Sequence, residues 1–463
     1  MTECFTIYAD EVENRIDPHF YRPEFWLIKN LEKSKWKTLK LGDLIEKINY
    51  GASVKAYPKG EIPFLRIQNL QENKVKLDNL VYAKKSELMD SDYVNEGDFL
   101  ISRSGTIGVV ARVPKEADKF AFGSFMIRFR LKEDKNINPK YISLFLNSRL
   151  GKLQTTRSKT GGLQGNITIP AIKNIRIPLP PLEIQDKIVA LMDKAYSLKR
   201  FKESEAEKLL DSINNHVLNE LGIKLPELQD KMVYIVNSDE VVQNKRADSY
   251  YYQPKFKEVE KAIKKGKFEV KELKYIAEKL ESGQRPKGGV RQISEGVPSL
   301  GGEHVLRDGT IATSDLKFIP MEFHKKQLKS KVQRKDIIIV KDGATTGKIG
   351  IVPEDYPFEE VNINEHVFLM RVKQEANPYF VFSILKSQLG QMQINRDITG
   401  GTIMGIIRET TEAIKIPLPF LAVQNKIAEE VKKRMQKAEQ LQKEAKEELE
   451  KAKQEVEKLI EGK

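Results

Sequence analysis

Ile177-Pro178-Leu179-Pro180-Pro181-Leu182-Glu183-Ile184-Gln185-Asp186-Lys187-Ile188 runs from a proline-rich extended stretch into a helical pattern, and the chain writes it twice. The second writing, Ile416-Pro417-Leu418-Pro419-Phe420-Leu421-Ala422-Val423-Gln424-Asn425-Lys426-Ile427, lies 239 positions on (177 to 416). The prolines bar either stretch from a helix interior or a central strand. Near the start, Arg15-Ile16-Asp17-Pro18-His19-Phe20-Tyr21-Arg22-Pro23 returns as Arg246-Ala247-Asp248-Ser249-Tyr250-Tyr251-Tyr252-Gln253-Pro254, 231 positions on (15 to 246). In a chain of 463 residues each copy fills one half, and a repeat that long is a duplicated domain rather than a solenoid.

Each copy opens with a strand-like segment, Phe5-Thr6-Ile7-Tyr8 and Val233-Tyr234-Ile235-Val236, followed by an acidic Asp-Glu-Val at 10–12 and 239–241. Leu41 to Ile48 and Leu273 to Leu280 carry apolar residues at helical spacing. Beyond them Ile62-Pro63-Phe64-Leu65, Asp98-Phe99-Leu100-Ile101 and Phe125-Met126-Ile127-Arg128 match Val297-Pro298-Ser299-Leu300, Asp336-Ile337-Ile338-Ile339 and Val367-Phe368-Leu369-Met370 as short strands between Gly and Asn turns. Asn138-Pro139 and Asn377-Pro378 each start a helix, with Asn as cap and Pro in the first turn, ending near Leu150-Gly151 and Leu389-Gly390. Gly-rich loops at Thr160-Gly161-Gly162 and Thr399-Gly400-Gly401 then lead to the quoted stretches.

Past those stretches the pattern becomes that of a coiled coil. Ile184, Ile188, Leu191, Ala195 and Leu198 form a 4-3-4-3 seam, which Leu209, Ile213, Val217 and Leu221 extend to Gly222. Val423, Ile427, Val431 and Met435 open the second seam. Two helices near 40 residues, roughly 55–60 Å long at ~1.5 Å per residue, each need a partner for their apolar stripe. Antiparallel pairing supplies it. The expected fold is therefore mixed α+β: two tandem globular domains, residues 1–181 and 223–420 with its linker, separated by long helices, 182–222 and 421–463, in an antiparallel coiled coil with pseudo-two-fold symmetry.

Lys and Arg number 79 against 66 Asp and Glu, a net charge of +13 that favours a polyanionic partner. A single cysteine, Cys4, excludes an intramolecular disulfide. With no apolar run near the roughly 20 residues of a membrane span and no signal peptide at the start, the expected compartment is the cytoplasm and no membrane is a partner. The tools of catalysis are missing. Gly343-Ala344-Thr345-Thr346-Gly347-Lys348 is one residue short of a phosphate loop, with Ile349 where Ser or Thr is needed, and reads as a turn. The five histidines, His19, His216, His304, His324 and His366, have no metal-ligand spacing.

The duplicated Pro-Leu-Pro…Gln…Ile stretches resemble the specificity subunit of type I restriction-modification enzymes. So do Gly97-Asp98-Phe99-Leu100-Ile101-Ser102-Arg103-Ser104-Gly105-Thr106-Ile107-Gly108 and Lys335-Asp336 to Gly347, although Lys335 replaces the leading Gly and Phe420 the second Pro. The resemblance implies two target-recognition domains reading the halves of a split site in double-stranded DNA, with the helices as spacer. It implies docking of two methyltransferase subunits and a restriction/translocase subunit. S-adenosylmethionine, ATP and Mg are expected on those partners, with no cofactor on this chain. Apolar surface on the docking helices leaves the isolated chain open to self-association.

Loops between strands are the expected base readers, because strands and helices carry the cores. In the first copy these are Lys55, Arg103, Ser104, Arg157, Lys159 and Gln164; in the second, Arg285, Lys287, Lys341, Asp342, Arg396 and Thr399. Arg grips guanine and Gln adenine bidentately, whereas Lys more often meets phosphate. Gln185 and Gln424 read as satisfying orphan backbone groups in the first turn of each long helix. Two alternatives stay open: a DNA methyltransferase or nuclease with a cryptic active site, and a coiled-coil adaptor that binds no DNA.

Overall fold

The structure is a computed structural model describing residues 6–8, 12, 17–159, 165–290, 293–400 and 404–462. The chain forms two compact units, residues 1–200 with 445–463 and residues 201–444. Each takes one repeat together with one half of each long helix.

Strands β1 (Ile45–Tyr50), β2 (Phe99–Ser102), β3 (Val110–Arg112) and β4 (Met126–Leu131) form the main sheet of the first unit, in the order β1-β4-β2-β3 and antiparallel throughout. In the second unit β5 (Ala277–Ser282), β6 (Ile337–Val340), β7 (Ile349–Ile351) and β8 (Val367–Val372) repeat it as β5-β8-β6-β7. Inward side chains build the cores. Phe99 stacks on Phe129 with ring centroids 4.8 Å apart in the first, and Ile337 and Ile339 face Phe380 and Phe382 of one cluster in the second. A smaller three-stranded sheet accompanies each, with Ile62–Leu65 or Val297–Leu300 in its centre. The proline stretches sit at edges, Arg176–Leu179 pairing with Lys37–Lys40 and Lys415–Pro417 with Val270–Glu272.

The long helices are α1 (Leu182–Leu221) and α2 (Leu421–Glu461), with Gly222 at φ 67° and Gly462 at φ 77° just past their ends. Such left-handed positions are where glycine ends a helix without strain. In the first unit Ile188, Met192 and Ala195 of α1 share a core with Leu449, Ala452, Val456 and Ile460 of α2. In the second, Ile213, Val217 and Leu221 share one with Ile427, Val431 and Met435. Early residues of one helix meet late residues of the other, the order an antiparallel pair requires.

Gln185 and Gln424 are almost fully buried and make the same three bonds. The Gln185 Oε1 accepts from the Asn138 amide at 2.9 Å, while its Nε2 donates to the carbonyls of Asn136 and Pro180 at 3.0 and 2.8 Å. Gln424 does so with Asn377, Glu375 and Pro419 at 2.8, 3.2 and 2.9 Å. The backbone they satisfy thus lies before the helix and in the loop ahead of the Asn-Pro cap, not in the helix's first turn. A second clamp is also duplicated: Gln154 exchanges two bonds with the backbone of Arg176, and Gln393 with that of Lys415.

Several local expectations give way to tertiary context. Leu41 to Ile48 is helical only over Leu41–Leu44 before β1, and Leu273–Ile276 likewise before β5, because Ile45, Ile48 and Leu280 belong to sheet edges that pair with β4 and β8. The Asn138 helix stops at Asn147, and a new one, capped by Ser148, runs through Gly151 to Arg157. Gly151 and Gly390 are therefore close-approach positions, where a Cβ would strike the carbonyls of Phe145 and Leu146 or of Ile384 and Leu385. Val233 to Val236 forms no strand, and residues 6–8 are likewise outside any element. Asp239 and Glu240 lie in the first turn of a helix, Ser238–Asn244, where carboxylates suit the helix dipole. Most of the first copy's Asp10–Val12 and Arg15-Ile16 lies outside the described residues.

Candidate nucleic-acid interface

In each unit three chain ends meet at one rim of the main sheet. In the first, the C-terminal ends of β1 and β2 and the entry to β4 bring together Tyr50, Arg103, Ser104 and Phe125. The Arg103 guanidinium lies over the Tyr50 ring, 4.5 Å from its centroid, and its Nε is buried without a hydrogen-bond partner among the described residues. Backbone bonds fix the position, since the Arg103 amide donates to Phe125 at 2.9 Å and its carbonyl accepts from Ile167 at 2.9 Å. Tyr50 is pinned in turn by the Ile169 amide, which donates to its hydroxyl at 3.3 Å. Phe125 is 60% exposed beside them. Gly51 allows the close approach, because a Cβ there would collide with the carbonyls of Phe122 and Gly123.

The second unit builds the same rim from Ser282, Lys341, Asp342 and His366. The Lys341 amide donates to the His366 carbonyl and its own carbonyl accepts from Ile406, as in the first unit. Lys341 Nζ donates to the Ser282 hydroxyl at 3.1 Å. His366 Nδ1 lies 2.5 Å from an Asp342 carboxylate oxygen, and its Nε2 lies 3.4 Å from Glu365. Glu365 also holds Arg285 at 2.8 Å. Gly283 repeats the role of Gly51 against Ile363 and Asn364.

Other sequence candidates are placed differently. Lys55 is exposed and, with Lys84, flanks the Tyr57 ring at 5.5 and 5.4 Å. Lys287 is exposed, Lys159 is half-buried, and Thr399 is exposed and bridged to Gly405. Arg157 stacks on Phe20 at 3.8 Å and donates to its carbonyl. Arg396 stacks on Tyr251 at 4.3 Å and pairs with Glu260 at 2.7 Å. Both arginines thus tie a helix end to the start of their own repeat. Gln164 and Gly161-Gly162 lie outside the described residues. Tyr50, Tyr57 and Phe125 were not singled out from sequence, and His366 read there as an ordinary histidine; setting each Gly-linked strand end against its counterpart in the other repeat is the signal that finds them.

On the helices Ile188, Ala195, Ile427, Val431 and Met435 are buried, while Ile184, Leu191, Leu198 and Val423 are half-buried. The buried line of α1 runs Gln185, Ile188, Met192, Ala195, and a polar residue at its head disguised that phase. The phosphate-loop look-alike is the turn between β6 and β7. Among the described residues no His, Cys, Asp and Glu group could hold a metal, and no helix is long and apolar enough to cross a membrane.

Two copies of one domain with matching rims and paired helices define a duplicated binding scaffold. A family model described as the type I restriction modification DNA specificity domain matches residues 33–211 and again 265–451, so the chain belongs to the type I restriction-modification specificity family. The chain is 25% identical over 430 residues to a putative type I restriction enzyme specificity subunit, MjaX, of Methanocaldococcus jannaschii, covering 88% of this chain and 90% of that one. It is 29% identical over 181 residues to the type I restriction enzyme EcoEI specificity subunit of Escherichia coli, covering 35% and 29%. Among solved structures, a chain from work on assembly and conformational transition of a type I restriction-modification system matches with TM-score 0.50 at 15% identity, over 92% of this chain and 97% of that one. That likeness concerns the fold alone.

Proposed function

We propose that this chain is the non-catalytic, address-reading subunit of a type I restriction-modification complex in the cytoplasm. Each repeat reads one half of a split, asymmetric site in double-stranded DNA, and the long helices hold the spacing and scaffold the other subunits. Those are two methyltransferase subunits and a restriction/translocase subunit, with S-adenosylmethionine, ATP and Mg residing on them. The domains are read as 1–181 and 223–420, with helices 182–222 and 421–463 as spacer. The observation that carries this reading is the duplicated rim, in which Arg103 and Lys341 make the same backbone bonds while the side chains differ. One frame with two sets of readers suits two different half-sites. The surplus of 13 positive charges supplies the attraction to phosphate that makes such binding salt-dependent.

The test is adenine-methylation mapping of plasmid DNA with and without the complex's methyltransferase subunits. The expected result is a split motif that needs both. Methylation by this chain alone points to a cryptic active site. No motif with an active methyltransferase, and no salt-dependent DNA binding, points to a protein-only adaptor.

A further inference from the structure

The two rims share the backbone bonds of Arg103 and Lys341 and differ in the side chain at each of four matched positions, of which Ser104 alone is buried. Position by position, Tyr50 stands against Ser282, Arg103 against Lys341, Ser104 against Asp342 and Phe125 against His366. Of these four positions in the first unit the charged one is Arg103, a guanidinium whose buried Nε has no hydrogen-bond partner among the described residues. It lies over an aromatic ring, 4.5 Å from its centroid, that is itself fixed by a backbone amide. A planar fork of donors presented on a rigid support matches the O6 and N7 acceptors of guanine. In the second unit the lysine is turned back onto Ser282, so one of its donors is used within the rim. The outward chemistry there is the Asp342 carboxylate, steadied by His366 through one oxygen. A carboxylate accepts from an exocyclic amino group, which cytosine offers at N4 and adenine at N6.

We infer that Tyr50, Arg103, Ser104 and Phe125 in one unit, and Ser282, Lys341, Asp342 and His366 in the other, are the positions that make the two half-sites differ. Arg103 reads a guanine and Asp342 an amino-bearing base. Tyr50 and His366 are positioning residues, holding the readers rather than touching the base. The neighbouring Arg157 and Arg396 take no part, being committed to Phe20 and to Tyr251 and Glu260. The inference rests on the reading of this chain as a DNA specificity subunit.

The experiment uses the full chain co-expressed with the methyltransferase subunits of its own complex, with methylated adenines mapped by sequencing. A wild-type chain that directs no motif overturns the proposed function itself, not this assignment. Given a wild-type motif, Arg103→Lys keeps the charge and removes the fork. It is expected to relax discrimination about tenfold at one guanine-containing position of one half-site, leaving the other half unchanged. Asp342→Asn adds an amide donor where only acceptors stood, and is expected to relax or switch one position in the opposite half. The base pair affected tells cytosine from adenine. If Asp342→Asn does not fold, Asp342→Glu takes its place with the same expectation, because it moves the carboxylate by one methylene. An unchanged motif for both positions, or alteration of the same half by both, overturns the inference.

Discussion

Gln185 and Gln424 make the same three bonds to the same backbone groups, whereas Arg103 and Lys341 stand on the same backbone and do different things with it. The first pair lies in the dry junction where helix meets domain; the second lies at the open rim. A buried amide admits few alternatives, since losing a partner strands polar groups away from water. At the rim exposed groups turn to solvent for what the side chain leaves unbonded, and the buried Arg103 Nε, without a partner among the described residues, is the exception. Duplication followed by divergence therefore leaves the frame alike and the face different.

The comparison is broken most severely at the clamps. Gln185→Ala is expected to destabilise the first unit, and Gln424→Ala the second, each by about 3 kcal/mol, since several buried groups lose partners at once. Denaturant titration followed by hydrogen exchange in each unit measures both, and a near-zero loss in either removes the equivalence. Next comes Arg396→Ala, expected to cost the second unit about 1 kcal/mol through the lost ion pair with Glu260, which keeps Lys415 at 3.5 Å, and the lost contact with the Tyr251 ring. The methylation motif should stay as it is. A changed motif with unchanged stability would return Arg396 to the DNA-contacting set.

A subtler contrast lies at Asn69 and His304, which occupy matching turns. The Arg66 amide donates to Asn69 Oδ1 at 3.0 Å, and the Gly301 amide donates to His304 Nδ1 at 2.8 Å. Burial holds the His304 ring below the usual histidine range, because the charged form loses its hydration. His216, also in the second unit, is lowered for the same leading reason. An unfolded chain takes up these protons first, near pH ~6.5, so the second unit should lose stability as pH falls below that value and keep it above. His304→Asn, which copies the first unit, should flatten that dependence; thermal melts from pH 7.5 to 5.5 read it out. An equal acid sensitivity in the variant would assign the effect elsewhere.

The smallest effect is expected at the turn before β6. Gly97 sits at φ 84°, and Lys335 holds the equivalent place at φ 71° despite its Cβ. Lys335→Gly relieves a left-handed conformation worth about 1 kcal/mol, partly offset by the freer unfolded chain, so a gain of about 0.5 kcal/mol is expected in denaturant titration.

The duplication and the long helices were legible because they rest on periodicity and on punctuation by Asn-Pro, Pro-Leu-Pro and Gly. Less legible was whatever depends on a partner far along the chain. Gly151 looks like a helix stop until the carbonyls of Phe145 and Leu146 are seen crowding it. Ile45 and Ile48 carry helical spacing, yet pairing with β4 decides their state. At the rim, charge alone picked out Arg103 and Arg157 equally. Only geometry separates an arginine with an unbonded Nε from one committed to the Phe20 ring.

The division of each long helix between the two units also sets the order in which a ribosome can deliver them. Residues 201–444 contain everything the second unit needs, while the first needs residues 1–200 and also 445–463. Synthesis runs from N- to C-terminus, and domains fold as units once their residues emerge. The half that begins first is therefore completed last. Until Leu449, Ala452 and Val456 arrive, Ile188 and Met192 lack the helix that covers them, and the nascent chain carries an apolar stripe open to any partner present while the rest is being made.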